Sequence, residues 1–144
     1  MNSKDKSNIS ESRTLYEFAK RDIPVCVPWG DNERYDLVAE FNGKFNRIQV
    51  KTCNEEENGG VRCYCRSSTN HTTNKHYTTY VGEVDYFVFY NQVHDLLALV
   101  PIQDIGDKKQ IVLRYLPTAN GQSKGVKFFS DYTFDKILFN TSLA

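Results

Sequence analysis

The stretch Tyr35-Asp36-Leu37-Val38-Ala39-Glu40-Phe41-Asn42-Gly43-Lys44-Phe45-Asn46-Arg47-Ile48-Gln49-Val50-Lys51-Thr52 decides the fold. Its two arms, Tyr35 to Phe41 and Lys44 to Thr52, alternate in polarity, and Asn42-Gly43 between them is the strongest short hairpin signal a sequence carries. A two-residue turn there sets Phe41 opposite Lys44, and counting back along both arms sets Asp36 opposite Gln49. Because side chains alternate, Asp36, Val38 and Glu40 share a face with Arg47, Gln49 and Lys51. An acid, an amide and an amine meet on one face of a hairpin. The same register sets Arg34 opposite Lys51, a like-charge pair that demands either an anion between them or a bulge.

Upstream, Ser7 to Arg21 reads as a helix, with Ser7 or Ser10 as N-cap and Lys20 and Arg21 in the last turn. Leu15, Phe18 and Ala19 form its expected apolar stripe; Glu11, four residues before Leu15, lies on that stripe, and Glu17 lies on the water side. Ile23 to Val27 is a short strand closed by the turn residues Pro28 to Asn32. Downstream, Val61 to Arg66 reads as a third strand of the hairpin sheet, followed by a polar segment from Ser67 to Tyr80 suited to touching a ligand. Asp85 to Tyr90 and Leu96 to Val100 form an apolar strand pair, and Tyr86-Phe87-Val88-Phe89-Tyr90 is a strand covered on both faces. Ile111 to Leu116 suggests another strand, Asn120 to Gly125 a loop, and Tyr132 to Phe139 a terminal helix.

A chain of 144 residues buries a sizeable core as one domain, so a single domain over 1–144 with a single site is expected. No run approaches a membrane span and the N-terminus is polar, which points to a soluble, intracellular protein with no membrane partner. Eighteen Lys plus Arg balance eighteen Asp plus Glu, so any binding of nucleic acid rests on a local basic patch. Cys53, Cys63 and Cys65 with His71 and His76 match no common zinc spacing, and reduced thiols, Cys63 and Cys65 on one strand face, are the preferred reading.

A carboxylate, an amide oxygen and a lysine two residues further on make a workable apparatus for phosphodiester hydrolysis. Mg²⁺ takes oxygen ligands, and an ammonium positions water or stabilises developing charge. In this reading Asp36 is the principal metal carboxylate, Gln49 a neutral second ligand, Glu11 a further acid for metal or water, and Lys51 the charge that positions the nucleophile. Solvated sheet faces also carry such groups, so the pattern alone is weak. Arg34, Arg62, Arg66 and Lys75, with His71 and His76, are candidates for contacts to a DNA backbone. Tyr35 is read as a packed aromatic and Asp85 as a turn residue outside the chemistry.

Glu11, the stretch Pro28-Trp29-Gly30-Asp31-Asn32-Glu33-Arg34-Tyr35-Asp36-Leu37-Val38 and Ile48-Gln49-Val50-Lys51-Thr52 resemble the group I intron-associated PD-(D/E)XK endonucleases. The similarity continues through Tyr80-Val81-Gly82-Glu83-Val84-Asp85-Tyr86-Phe87 and Val100-Pro101. The resemblance places the motif Asp at Asp36, the second acidic position at Gln49, the motif Lys at Lys51 and the helix Glu at Glu11. It implies an α/β fold of the α+β mixed-sheet kind with a restriction-endonuclease-like αβββαβ core. It further implies Mg²⁺, with Mn²⁺ as the alternative, double-stranded DNA as substrate, and assembly into a homodimer or homotetramer. Gln49 departs from the general motif and removes one negative charge, yet relatives, a cyanobacterial homing endonuclease among them, keep Gln there and cut. Three readings stay open: a site-specific endonuclease of the homing type, a structure-selective nuclease such as a Holliday-junction resolvase, and a non-catalytic DNA-binding module.

Overall fold

The computed structural model describes residues 1–30, 33–71 and 74–139, with the backbone alone over 68–71 and 74–78. The hairpin forms in the expected register: β2 (Leu37–Phe41) pairs antiparallel with β3 (Lys44–Thr52), Phe41 facing Lys44 and Leu37 facing Ile48. Asn42 and Gly43 both have positive φ, 54° and 72°, as a type I′ turn requires. On one side of the hairpin, β1 (Val25–Cys26) covers β2. On the other, β3 pairs in parallel with β8 (Tyr86–Asn91), which pairs antiparallel with β9 (Leu96–Pro101). The five-stranded sheet therefore runs β1-β2-β3-β8-β9.

Between β3 and β8 the described chain is built of strands, β4 (Glu55–Glu57), β5 (Gly60–Tyr64), β6 (Arg66–His71) and β7 (Asn74–Thr79). The mixed α/β class holds, with strands where the expected core carries a helix in this crossover. The strand expected as a third member of the hairpin sheet lies elsewhere. β5 joins a second sheet ordered β11-β10-β5-β4, with β10 (Gln110–Arg114) and β11 (Lys127–Phe128). Both edges of the hairpin are already taken by β1 and β8, and Val61, Cys63 and Cys65 alternate as an apolar face that packs onto the first sheet instead. β6 and β7 pair as a separate ribbon.

The first sheet is covered on both faces, as the apolar run in β8 requires. Phe87, Phe89, Ala98 and Val100 meet Val61, Cys63 and Leu113 of the second sheet. Val88 and Leu99, with Leu37, Ile48 and Val50, meet the helices α1 (Ser3–Ala19) and α2 (Phe134–Phe139). Helix α2 is shorter than the Tyr132 to Phe139 expected, a single 3₁₀ turn at Phe129–Asp131 preceding it. Arg47 and Asp85 clamp the start of β8 to β3: the Arg47 N–H donates to Asp85 Oδ2 at 2.7 Å and its guanidinium grips the same carboxylate. No described helix is long and apolar enough to cross a membrane.

Helix α1 corrects two expectations. It begins at Ser3, capped by Asn2, whose side chain accepts from the Asp5 N–H at 2.9 Å. Its buried face is Ser10, Thr14, Glu17 and Phe18, whereas Leu15 is 36% exposed and Ala19 is exposed. Phe18 anchors this face edge-on to Phe134 at 5.1 Å. The small hydroxyls let the helix lie close on β3, and each is satisfied locally, Ser10 donating to Lys6 O and Thr14 to Ser10 O. Glu17, expected in water, is 7% exposed because Arg21, Arg13 and Lys20 close on it at 2.8, 3.0 and 3.2 Å.

Two outcomes follow. No heavy atom lies within 4 Å of a Cβ built at Gly43, so Gly43→Ala meets only the backbone penalty of a left-handed residue. Denaturant unfolding is expected to show a loss of about 1–2 kcal/mol; an unchanged midpoint contradicts the turn. Burial pushes the Glu17 carboxyl up, and hydrogen bonds from Arg21, Lys20 and Arg13 together pull it down further, to below the usual 4.5. A depressed folded pKa contributes stability that is present above the unfolded value and lost as pH falls through the folded one. Glu17→Gln is therefore expected to cost about 1–2 kcal/mol at neutral pH, with the difference from wild type shrinking as acid titrates the carboxyl below 4.5. A difference independent of pH contradicts this account.

Candidate active site

The β2–β3 ladder ends at Leu37 and Ile48, and Asp36 adds one further bond, its N–H donating to Ile48 O at 2.8 Å. The Asp36 side chain then takes the place of the next ladder acceptor: Oδ2 accepts from the Val50 N–H at 2.8 Å. One carboxylate oxygen is thus held by the backbone of the motif strand itself. The bend also resolves the like-charge pairing of Arg34 with Lys51. Arg34 leaves the strand line, ion-pairs with Glu83 at 2.9 Å and donates to Thr79 O at 3.2 Å.

Gln49 and Lys51 lie on the same face of β3, beside Phe87 and Phe89 of the parallel β8. Gln49 Nε2 donates to Val50 O at 3.4 Å. The Lys51 ammonium lies 5.2 Å from the centre of the Tyr80 ring and near enough to Asp36 to favour its ionised form. Glu11 comes from α1, half-buried, and senses the Asp36 charge. The helix is tied to β3 next to the site by a 2.5 Å hydrogen bond between Ser10 Oγ and Thr52 Oγ1.

Burial raises the Asp36 pKa, opposed by the Val50 N–H and the Lys51 charge. Burial also raises Glu11, and the Asp36 charge adds to it. Two carboxylates held close together and drawn out of water, with one ammonium to offset them, form a donor set that a hard divalent cation satisfies. Among the described residues no three His, Cys, Asp or Glu side chains cluster as metal ligands. The site is flanked by a cleft of ≈ 400 Å³ lined by Lys6, Ser7, Lys51, Thr52 and Asn54. Lys6 reaches it because α1 begins a turn earlier than the sequence suggests.

The other candidate residues lie apart from this cluster. Arg62, on the outer face of β5, pairs with Glu57 at 2.7 Å, and Arg66 donates to Asp107 O. The side chains of Lys75, His71 and His76 lie outside the described residues. Tyr35 packs against the core. Cys53, Cys63 and Cys65 are buried in the core between the sheets, where burial pushes the thiols of Cys63 and Cys65 up, Cys65 to about 12. Asp85, read as a turn residue, is the structural clamp for Arg47. Tyr80 and Thr52 were not singled out from sequence, and Ser10 was read as a possible N-cap and not as a residue of the helix interior that meets Thr52. Their partners are long-range, and the one available signal was the run of small hydroxyls at helical spacing, Ser10 and Thr14.

No curated protein sequence matches the chain. A solved structure of a bacterial homing endonuclease, I-Ssp6803I, shares the fold with a TM-score of 0.74 at 24% identity, covering 92% of this chain and 88% of that one. The profile described as PD-(D/E)XK endonuclease matches residues 1–135, which span the helix Glu11, the hairpin with Asp36, Gln49 and Lys51, and both sheets. The chain belongs to the PD-(D/E)XK endonuclease family.

Proposed function

We propose that this chain is a divalent-cation-dependent endonuclease that hydrolyses phosphodiester bonds of double-stranded DNA at a specific site, in the manner of a homing endonuclease. The observation that carries this reading is Asp36, fixed on the hairpin by the Val50 N–H, with the Lys51 ammonium near it and the half-buried Glu11 of α1 within reach of its charge. Asp36, Glu11 and the Gln49 carbonyl would hold the ion, Mg²⁺ with Mn²⁺ as substitute. When bound, such an ion polarises the phosphate and makes water a better nucleophile. Asp36 is oriented for this by the Val50 N–H, which fixes one of its oxygens. Lys51 places positive charge where the phosphate oxygens gain negative charge as the P–O bond breaks. Glu11 serves either as a further ligand to the ion or as the acceptor of a proton from the attacking water.

Two strands of a duplex need two cuts, and one chain carries one such site, so the working enzyme is proposed to be a homodimer or homotetramer. The balanced net charge fits this, since several subunits aligning local patches supply the phosphate contacts that one subunit lacks.

Purified protein incubated with plasmid, linear duplex and branched DNA, with Mg²⁺ or EDTA, tests this reading. Metal-dependent cutting of linear duplex is expected, with Asp36→Asn and Lys51→Ala each losing about 10²-fold or more. Cutting confined to branched DNA would point instead to a structure-selective nuclease, and metal-indifferent binding without any cutting to a non-catalytic module.

A further inference from the structure

Tyr80 follows β7 and opens the turn into β8: the Glu83 and Val84 N–H groups both donate to its carbonyl oxygen, at 2.9 and 3.1 Å. Its ring is 4% exposed and stands edge-on to Phe87, centroids 5.2 Å apart and planes at 85°. Phe87 is the ladder neighbour of Gln49, so the ring is braced by the strand beside the site. Two cations lie against this ring. The Arg34 guanidinium carbon is 4.0 Å from its centre and the Lys51 ammonium 5.2 Å.

A lysine side chain has four rotatable bonds, and an ammonium in a half-open cleft would sample many positions without something to hold it. The negative face of an aromatic ring supplies such a hold without neutralising the charge, as a carboxylate partner would. Arg34, fixed by Glu83 and Thr79 O, lies against the same ring at shorter range. We propose that Tyr80 is a positioning residue for Lys51, holding its ammonium toward Asp36 through the ring. This rests on the role proposed above for Lys51.

The tests are Tyr80→Phe, which keeps the ring and removes the hydroxyl, and Tyr80→Leu, which removes the ring, each measured by cleavage kinetics beside Lys51→Ala. Tyr80→Phe is expected to stay within about twofold of wild type, and Tyr80→Leu to lose about ten- to a hundredfold in kcat with KM little changed. A Tyr80→Leu protein with unaltered kcat, or Tyr80→Phe falling as far as Tyr80→Leu, overturns the proposal. A second measurement needs neither activity nor a Tyr80 variant. In wild-type protein the Lys51 ε-methylene protons, assigned by their absence from Lys51→Ala, should show an upfield ring-current shift and a nuclear Overhauser contact to the Tyr80 ring. Their absence overturns the proposal whatever the kinetics. If the shift is present and Lys51→Ala still cuts at the wild-type rate, the positioning stands and the catalytic role of Lys51 fails.

Discussion

The register between β2 and β3 is the constraint from which the rest of the site follows. With Asn42 and Gly43 both at positive φ, the turn admits one pairing, and that pairing puts Asp36 one step beyond the last ladder pair, Leu37 with Ile48. There its carboxylate accepts the Val50 N–H in place of a strand carbonyl. A slip of one residue would turn Gln49 and Lys51 toward the helices and send Ile48 and Val50 to the opposite face. The burial of Leu37, Ala39, Ile48 and Val50 against Phe18 and Phe134 opposes such a slip. Packing and the geometry of the candidate site are set by the same register.

Gln49 makes physical sense in this setting. Burial raises both the Asp36 and the Glu11 carboxyls, and the Asp36 charge adds to the rise at Glu11 by repulsion. A third carboxylate at position 49 would add to that repulsion whenever the cation is absent. An amide keeps the oxygen donor and avoids the extra charge, at the cost of weaker attraction for the ion. Lys51 lies near Asp36, and the buried ring of Tyr80 lies against its ammonium.

What was legible in the sequence was what depends on local periodicity and turn chemistry. The hairpin, its register, the doubly covered β8 and the pairing of β8 with β9 all follow from alternation and Asn-Gly, and so does the shared face of Gln49 and Lys51 on β3. The roles expected of Asp36, Gln49, Lys51 and Glu11 were read from metal and phosphodiester chemistry and given weight by the family resemblance, because the pattern alone is common on sheet faces. What was illegible depends on tertiary packing. Glu17 is buried by cations of its own helix, which periodicity cannot reveal when the inward face is made of Ser10 and Thr14 and not of Leu15. Strand β5 was read into the wrong sheet because alternation tells that a strand has an apolar face but not which partner it meets. Position Tyr80 carried no signal, since its significance lies in Arg34 and Lys51, both remote in sequence.

The central claim is that the hairpin and α1 build one cation site from Asp36, Glu11 and Gln49. Titration of ¹⁵N-labelled protein with Mn²⁺ tests it directly, because the ion broadens amide resonances close to it. The account expects selective broadening at Glu11, Asp36, Gln49 and Val50 that Asp36→Asn abolishes. Broadening centred elsewhere, or a pattern that survives Asp36→Asn unchanged, would contradict it.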